Sequence, residues 1–305
     1  MIFLGLFPLI ALLLPIFLKA FAGVGYRGWL KVGSVMVPVR TCGIEKTPYP
    51  IIGDDLIHGS SNEPISASAI NYAEGRNEYT GSFATDLFAD FWSTLKDWAV
   101  NDRHTSKTII VSPNNQQIYT YTTVLINTLT INGNLNGNVT IDVNVQAKTR
   151  TETGAGGTYS ATGTSINQAP IPYWKSKFVG SAWGSGNWAS FGETASNTQV
   201  TAWSITINNN TIVQRTFDGT KDAHYVQQGM LNLTGTITVF NEDGIPVPSD
   251  GGSAVITITG AGTVTLPYIV ITGYPMNFAG SSAKVTRTVP FRSLGTGTSA
   301  CVTAA

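Results

Sequence analysis

Nucleophilic catalysis needs a Ser, Cys or Thr beside a His that an acid orients. The three histidines, His58, His104 and His224, stand in polar, turn-like surroundings with no recurring companion and read as surface residues. The two cysteines, Cys42 and Cys301, lie far apart in the chain and make no zinc-ligand spacing with a histidine. A disulfide between them is one reading. Two isolated small apolar thiols is the better one, because a chain of 305 residues has core enough to do without a staple. Asp54-Asp55 and Glu242-Asp243-Gly244 pair carboxylates as a calcium loop does, but neither runs on into a ladder of oxygen donors, so both read as turns. A carboxylate pair for glycoside hydrolysis needs only closeness in space, and nothing in the chain singles one out. Gly154-Ala155-Gly156-Gly157 and Gly260-Ala261-Gly262 lack the Lys and the strand-to-helix setting of a phosphate cradle and read as turns. Asn138-Val139-Thr140, Asn209-Asn210-Thr211 and Asn232-Leu233-Thr234 match the glycosylation triplet, in a chain so rich in Asn and Thr that chance produces it. No catalytic residue, cofactor site or metal ligand is assigned, and no cofactor is expected.

Composition points the same way. Only 12% of residues are charged, and 18 basic side chains balance 18 acidic ones. Wrapping a nucleic acid normally takes clustered Lys and Arg that displace counterions from phosphates, and no such footprint exists here. A surface poor in charge suits a protein largely covered by neighbouring subunits, since interface cores are depleted of charge.

The elements that would position any site are mostly strands. Ile2 to Leu18 carries no charge and ends at Lys19, before Ala20-Phe21-Ala22 with its small-x-small look of a signal-peptidase site. Against an export signal, no Lys or Arg precedes the run, Pro8 and Pro15 interrupt a spanning helix, and its length is at the short limit for a bilayer. Docking on a neighbouring subunit and an upstream start codon are the two other readings, and all three stay open. From Gly25 onward a two-residue period dominates: Tyr26, Trp29, Val32, Val35, Val37 and Val39 predict a hairpin around Gly33-Ser34. Thr47 to Arg76, with four prolines and glycines in its first half, predicts a long loop or arm. Phe83, Leu87, Phe88, Phe91, Trp92, Leu95, Trp98 and Ala99 fall at three-and-four spacing and predict an amphipathic helix over 83–100 with Ser82 as N-cap. Its aromatic stripe, Trp92 and Trp98 included, reads as core.

Strands are predicted at Thr108 to Val111, Tyr119 to Ile131, Val139 to Thr149, Ala254 to Thr259, Val264 to Ile271 and Lys284 to Arg292. Glu152 to Ala169 has the Gly, Thr and Ser content of a linker or exposed loop. Tyr173 to Phe191, aromatic residues alternating with Gly and Ser, suits a strand pair with a turn near Gly184-Ser185-Gly186, and equally a sugar-binding aromatic face. Leu129-Thr130-Ile131-Asn132-Gly133 with Gly137 to Ile141 is echoed by Ile205-Thr206-Ile207-Asn208-Asn209 with Gly235 to Val239, which predicts a weak internal duplication.

Two stretches carry a resemblance. Tyr79-Thr80-Gly81-Ser82-Phe83-Ala84-Thr85-Asp86-Leu87 leads into the helix and the strand pair from Tyr121 to Lys148. Ala202 to Asn210 leads through Phe217-Asp218-Gly219-Thr220 to Gly229 through Phe240, and Thr265-Leu266-Pro267 follows. Together they resemble the tail tube proteins of long-tailed, siphovirus-type phages, in the family with two tube-type β domains per chain. The resemblance spans roughly residues 25 to 295, and the apolar N-terminal run departs from it.

What the resemblance implies is a mainly β chain with two tandem tail-tube-like β-sandwich or partial-barrel domains and one amphipathic helix packed on the first. The boundaries are an apolar segment at 1–22, a first domain at 23–151, a linker or loop at 152–169, a second domain at 170–295 and a tail at 296–305. Such subunits join sheet edge to sheet edge into rings, trimeric and pseudo-hexameric or hexameric, which stack into a conduit for DNA within the virion. Tape measure, terminator and tip proteins are the implied partners. Thr130, Asn132, Thr140, Thr206, Asn208, Thr236 and Thr238 are the candidate lumen face, and Asp54, Asp55, His58 and Asn62 the candidate ring-to-ring loop. The competing expectation is a secreted or surface-anchored β-sandwich binding module, an adhesin or glycan binder, motivated by the apolar run and the segment from Trp174 to Trp188. A glycan hydrolase on a β scaffold comes third.

Overall fold

The computed structural model of the chain describes residues 29–48, 51–52, 72–73, 76–113, 117–135, 137–153, 162–180, 198–216, 219–241, 252–273, 286–295 and 300–305. Strands β1 (Trp29–Val32) and β2 (Val35–Val37) form the opening hairpin, and Gly33 at its turn has a φ of 59°, a left-handed backbone that glycine takes without a Cβ clash. β3 (Thr41–Pro48) lies antiparallel to β6 (Asn77–Asp86), and within the arm between them β4 (Ile51–Ile52) pairs with β5 (Tyr72–Ala73). After helix α1 (Ala89–Lys96) come β7 (Lys107–Ser112), β8 (Ile118–Asn134), β9 (Thr140–Ala147), β10 (Thr149–Thr153) and β11 (Thr164–Ser165), the last paired parallel to β2.

The second half holds β12 (Ser176–Gly180), β13 (Thr198–Asn208), β14 (Ile212–Gln214), β15 (Tyr225–Gln227), β16 (Asn232–Asn241), β17 (Ala254–Ile258) and β18 (Gly262–Leu266). It ends in β19 (Tyr268–Ile271), β20 (Thr286–Leu294) and β21 (Thr303–Ala304). The single strand expected from Val264 to Ile271 is two. Pro267 has no N–H to give a ladder, and there the chain leaves β18 in a four-stranded sheet, β12-β17-β18-β21, for β19 in the large sheet.

The large sheet is organised around β8. Its first part pairs with β7 and β10 and its second with β9 and β13. Between the two parts Thr123 adopts a φ of 50°, a left-handed backbone uncommon for a β-branched residue, and the β9 register slips between Ile126 and Thr128. The strand thereby turns a corner and serves two sets of partners. From β8 the broad face runs β3-β6-β9-β8-β13-β16-β20-β19. Leu129 opposite Ile207, Ile131 opposite Ile205 and Trp203 opposite Ile237 place a buried apolar row beneath it. Phe178 of β12 packs on Trp203 and Phe291 at ring-centroid distances of 6.4 and 6.0 Å, so the small sheet lies across the underside of the large one. Buried side chains of both halves share this core.

The helix differs from expectation at its start. Ser82 is no N-cap and Phe83 to Asp86 are strand, because Tyr79, Phe83 and Thr85 alternate inward while β6 makes ladders with β3 on one side and β9 on the other. α1 begins only at Ala89. Its N-cap is Phe88, extended and without a side-chain cap, and it continues as a π-helical turn over Asp97–Asn101. Phe91, Trp92, Leu95 and Trp98 are buried, as their spacing predicts. The helical segment touches both halves: the Trp98 indole donates to the Val124 carbonyl at 3.3 Å, and Asn101 Nδ2 to the Ala304 carbonyl at 2.9 Å.

Gly235 sits where β16 passes over Phe291, and a Cβ there would meet the Phe291 ring and the Ser204 carbonyl. Gly43 on the exposed edge strand has open space. Gly235→Ala is therefore expected to destabilise by about 1–3 kcal/mol, and Gly43→Ala to change stability by less than about 0.5 kcal/mol, read from urea midpoints. Equal midpoints for the two variants contradict this packing.

Candidate functional site

The site is a surface rather than a pocket, and it follows from strand alternation. When Leu129, Ile131, Ile205 and Ile207 point down into the core, their neighbours point up. Thr130, Asn132, Thr140, Thr206, Asn208, Thr236 and Thr238 all lie on that upper face and are partly exposed. Register aligns them in rows across the strands: Thr140, Asn132, Ser204, Thr236 and Pro290; Asp142, Thr130, Thr206, Thr234 and Arg292; Asn144, Thr128, Asn208 and Asn232. Thr130 and Thr206 hydroxyls are 3.0 Å apart, Thr238 and Thr288 hydroxyls 2.8 Å, and Asn144 Nδ2 donates to Thr128 Oγ1 at 2.6 Å. Asn132 Nδ2 reaches Asp142 Oδ2 at 3.3 Å. Asp86 of β6, opposite Thr140, extends the first row and pairs with Arg40, so the charges in these rows are two acids, Asp86 and Asp142, and one base, Arg292.

Sequence reasoning missed Asp142, Asn144, Thr128, Ser204 and Thr234. The same alternation points to them once the register is known. Asp54, Asp55, His58 and Asn62, the expected ring-to-ring loop, lie outside the described residues. What is described is the base of that arm, where Ile51 faces Ala73 and Ile52 faces Tyr72.

The broad face ends in two strands with one partner each among the described residues. β3 pairs with β6 alone, and Thr41, Cys42, Gly43, Glu45 and Lys46 are exposed along it. At the other end β19 pairs with β20, whose residues 286–289 pair on the β16 side only.

Buried polar groups brace the face from below. Asn209 Nδ2 donates to the Ala99 and Ile126 carbonyls at 3.1 and 3.2 Å, fixing the β13 end against the helical segment. Asp222 accepts from Tyr79 Oη at 2.7 Å and Asn77 Nδ2 at 3.1 Å, tying the loop before β15 to β6. Burial first, then the Asp222 carboxylate, pushes the Tyr79 phenol up to about 12.

Among the described residues, the histidines and cysteines do not gather. His104 and His224 are exposed, with His224 edge-on to Tyr225 at 5.2 Å. Cys42 and Cys301 are free thiols, which settles the disulfide question. Among the described residues no three His, Cys, Asp or Glu gather as a metal site, and no helix is long and apolar enough to cross a membrane. Gly260-Ala261-Gly262 is the β17–β18 turn, with φ of 89° at Gly260. Trp174 is 65% exposed beside a cleft of about 330 Å³ that Tyr173, Lys177 and Trp203 also line. Trp183 and Trp188 of the proposed aromatic face lie outside the described residues.

A sequence profile of the family described as phage tail tube protein matches residues 71–293. The chain belongs to that family. The match takes in β6, α1, the rows of Thr and Asn and the strands out to β20, and it places this tail tube protein in the virion tail as a structural component. Among curated proteins none matches the chain.

The Tyr79 phenol supplies a stability test of the brace. A free tyrosine titrates near 10, so the fold favours the neutral phenol. The stability this gives is complete below about pH 10 and is lost as pH rises through about 12. Tyr79→Phe is expected to lower stability by about 1 kcal/mol at neutral pH and to lose less than the parent protein between pH 9 and 11.5 in thermal melts. A parallel decline of the two contradicts the assignment.

Proposed function

We propose that this tail tube protein polymerises into stacked rings that form the tube of a siphovirus-type tail, a passive conduit for DNA ejection. The observation that carries the reading is one broad sheet whose upper face is poor in charge and rich in hydroxyls and whose end strands, β3 and β19, keep one strand partner each among the described residues. An exposed ladder edge is a liability in a lone chain, and ring closure pairs it. In this reading β3 of one copy extends the sheet at β19 and residues 286–289 of the next, which turns the rows of Thr and Asn into the lumen wall. A wall of hydroxyls and amides with balanced charge passes DNA, whereas a lysine-rich one holds phosphates. The protein's work is positional, with no bond made or broken.

The echoed strands support two tube-type units per chain. β8 and β13 lie side by side and antiparallel with Thr130 opposite Thr206, so Leu129-Thr130-Ile131 and Ile205-Thr206-Ile207 are related by a local two-fold axis, and the order β9-β8-β13-β16 is symmetric about it. The second echo does not share that symmetry: Ile131 faces Ile141, while its counterpart Ile207 faces Leu233. Two units per chain make three chains enough for a pseudo-six-fold ring. The arm carrying Asp54, Asp55, His58 and Asn62 is the proposed contact between rings, the tape measure protein the filler of the lumen before ejection, and terminator and tip proteins the ends.

In a reconstruction of the tail, Thr130, Asn132, Thr206 and Thr236 are expected on the inner wall, and the double variant Thr130→Lys, Thr206→Lys is expected to give tails of normal length that eject DNA at least about tenfold more slowly at low salt than at high salt. Those four side chains on the outer surface, or ejection indifferent to the two lysines, overturns the lumen assignment.

A further inference from the structure

Strands β1, β2, β3 and β7 enclose an apolar groove of about 710 Å³ whose walls include Trp29, Met36, Pro38, Val39, Cys42 and Ile166. It is large enough for several side chains, and contiguous apolar surface of this kind on a soluble subunit is ordinarily covered. The Trp29 indole N–H is buried and has no acceptor among the described residues, which marks this corner of the fold as incompletely satisfied. The tail tube reading leaves both the groove and the apolar N-terminal run without a role. Ile2 to Leu18 is uncharged throughout, and it joins the fold through Lys19 to Gly28 at Trp29, a wall of the groove itself. Those ten linking residues, with glycine at 23, 25 and 28, reach about 33 Å when extended. A tether of this length gives the run an effective concentration in the millimolar range at its own groove. Run and groove walls β1 to β3 alike lie outside the matched span 71–293.

We propose that the apolar run Ile2–Leu18 docks in the groove of its own chain, covering the β1–β2–β3 wall. Docking of this kind requires that the run stay with the folded subunit. The inference concerns the single chain and stands apart from ring formation.

The native thiol in the groove wall reports on it. In full-length protein carrying Cys301→Ser, Cys42 is the sole thiol, and it is exposed to solvent on the strand it belongs to. Docking predicts that maleimide labels Cys42 at least about tenfold more slowly in this protein than in the same protein with Leu9→Asp and Leu13→Asp, which expel the run, while circular dichroism shows the same β content in both. Equal labelling rates overturn the proposal. Adding Leu9→Cys or Leu13→Cys to the Cys301→Ser background and oxidising mildly locates the occupant: a disulfide within one chain supports docking, and a disulfide-linked dimer puts the run in a neighbour's groove and overturns it. A virion-derived chain whose mass lacks residues 1–22 overturns it as well.

Discussion

The antiparallel ladder between β8 and β13 is the contact on which the rest depends. It runs from Thr128 opposite Asn208 to Asn134 opposite Ala202, and it is the join at which strands of the first half become one surface with strands of the second. β8 can supply that join only because it turns at Thr123 and gives up its β7 and β10 partners in time to take β9 and β13. A sheet built outward from such a centre stays open. β3 and β19 mark its two ends, and neither is covered by the four-stranded sheet, which occupies the underside. Each of these end strands keeps one strand partner among the described residues, and pairing with copies of the chain is the proposed way to satisfy the other side.

The same centre sets the character of the upper face. Threonine, serine and asparagine across adjacent strands satisfy one another by short hydrogen bonds, as Thr130 with Thr206 and Asn144 with Thr128 do. Such a face needs no counterions and carries no strong field, so a polyanion moving past it meets neither a trap nor a steep barrier. Charge is kept to positions such as Asp142 and Arg292, which lie in a single row with Thr130, Thr206 and Thr234 between them. Tail function in this reading is a property of the whole surface.

Much of this was legible in the residues. Two-residue alternation identified the strands on both sides of the seam and the face that Thr130, Asn132, Thr206 and Thr236 share, because one-sided burial imposes that period. The three-and-four spacing found the helix that buries Trp92 and Trp98. It placed the start too early, since Phe83 and Leu87 fit a helical stripe as well as a strand followed by a turn, and only the ladders to β3 and β9 decide between them. The break at Pro267 follows from proline's missing N–H, which the surrounding apolar run conceals. Partner choice was not legible: nothing local tells Thr130 that it will face Thr206, or that β3 will keep one side unpaired, because pairing over such chain separations is settled by the packing of the whole core.

Hydrogen exchange measured on separate chains and on assembled tubes tests the central claim most directly, since it reads the backbone amides that free edges leave unpaired. The account predicts that amides in Thr41–Pro48 and in residues 286–289 gain protection on assembly while those of Thr128 to Asn134 and Ala202 to Asn208 are protected in both states. Exchange at the two edges that is unchanged by assembly would contradict it.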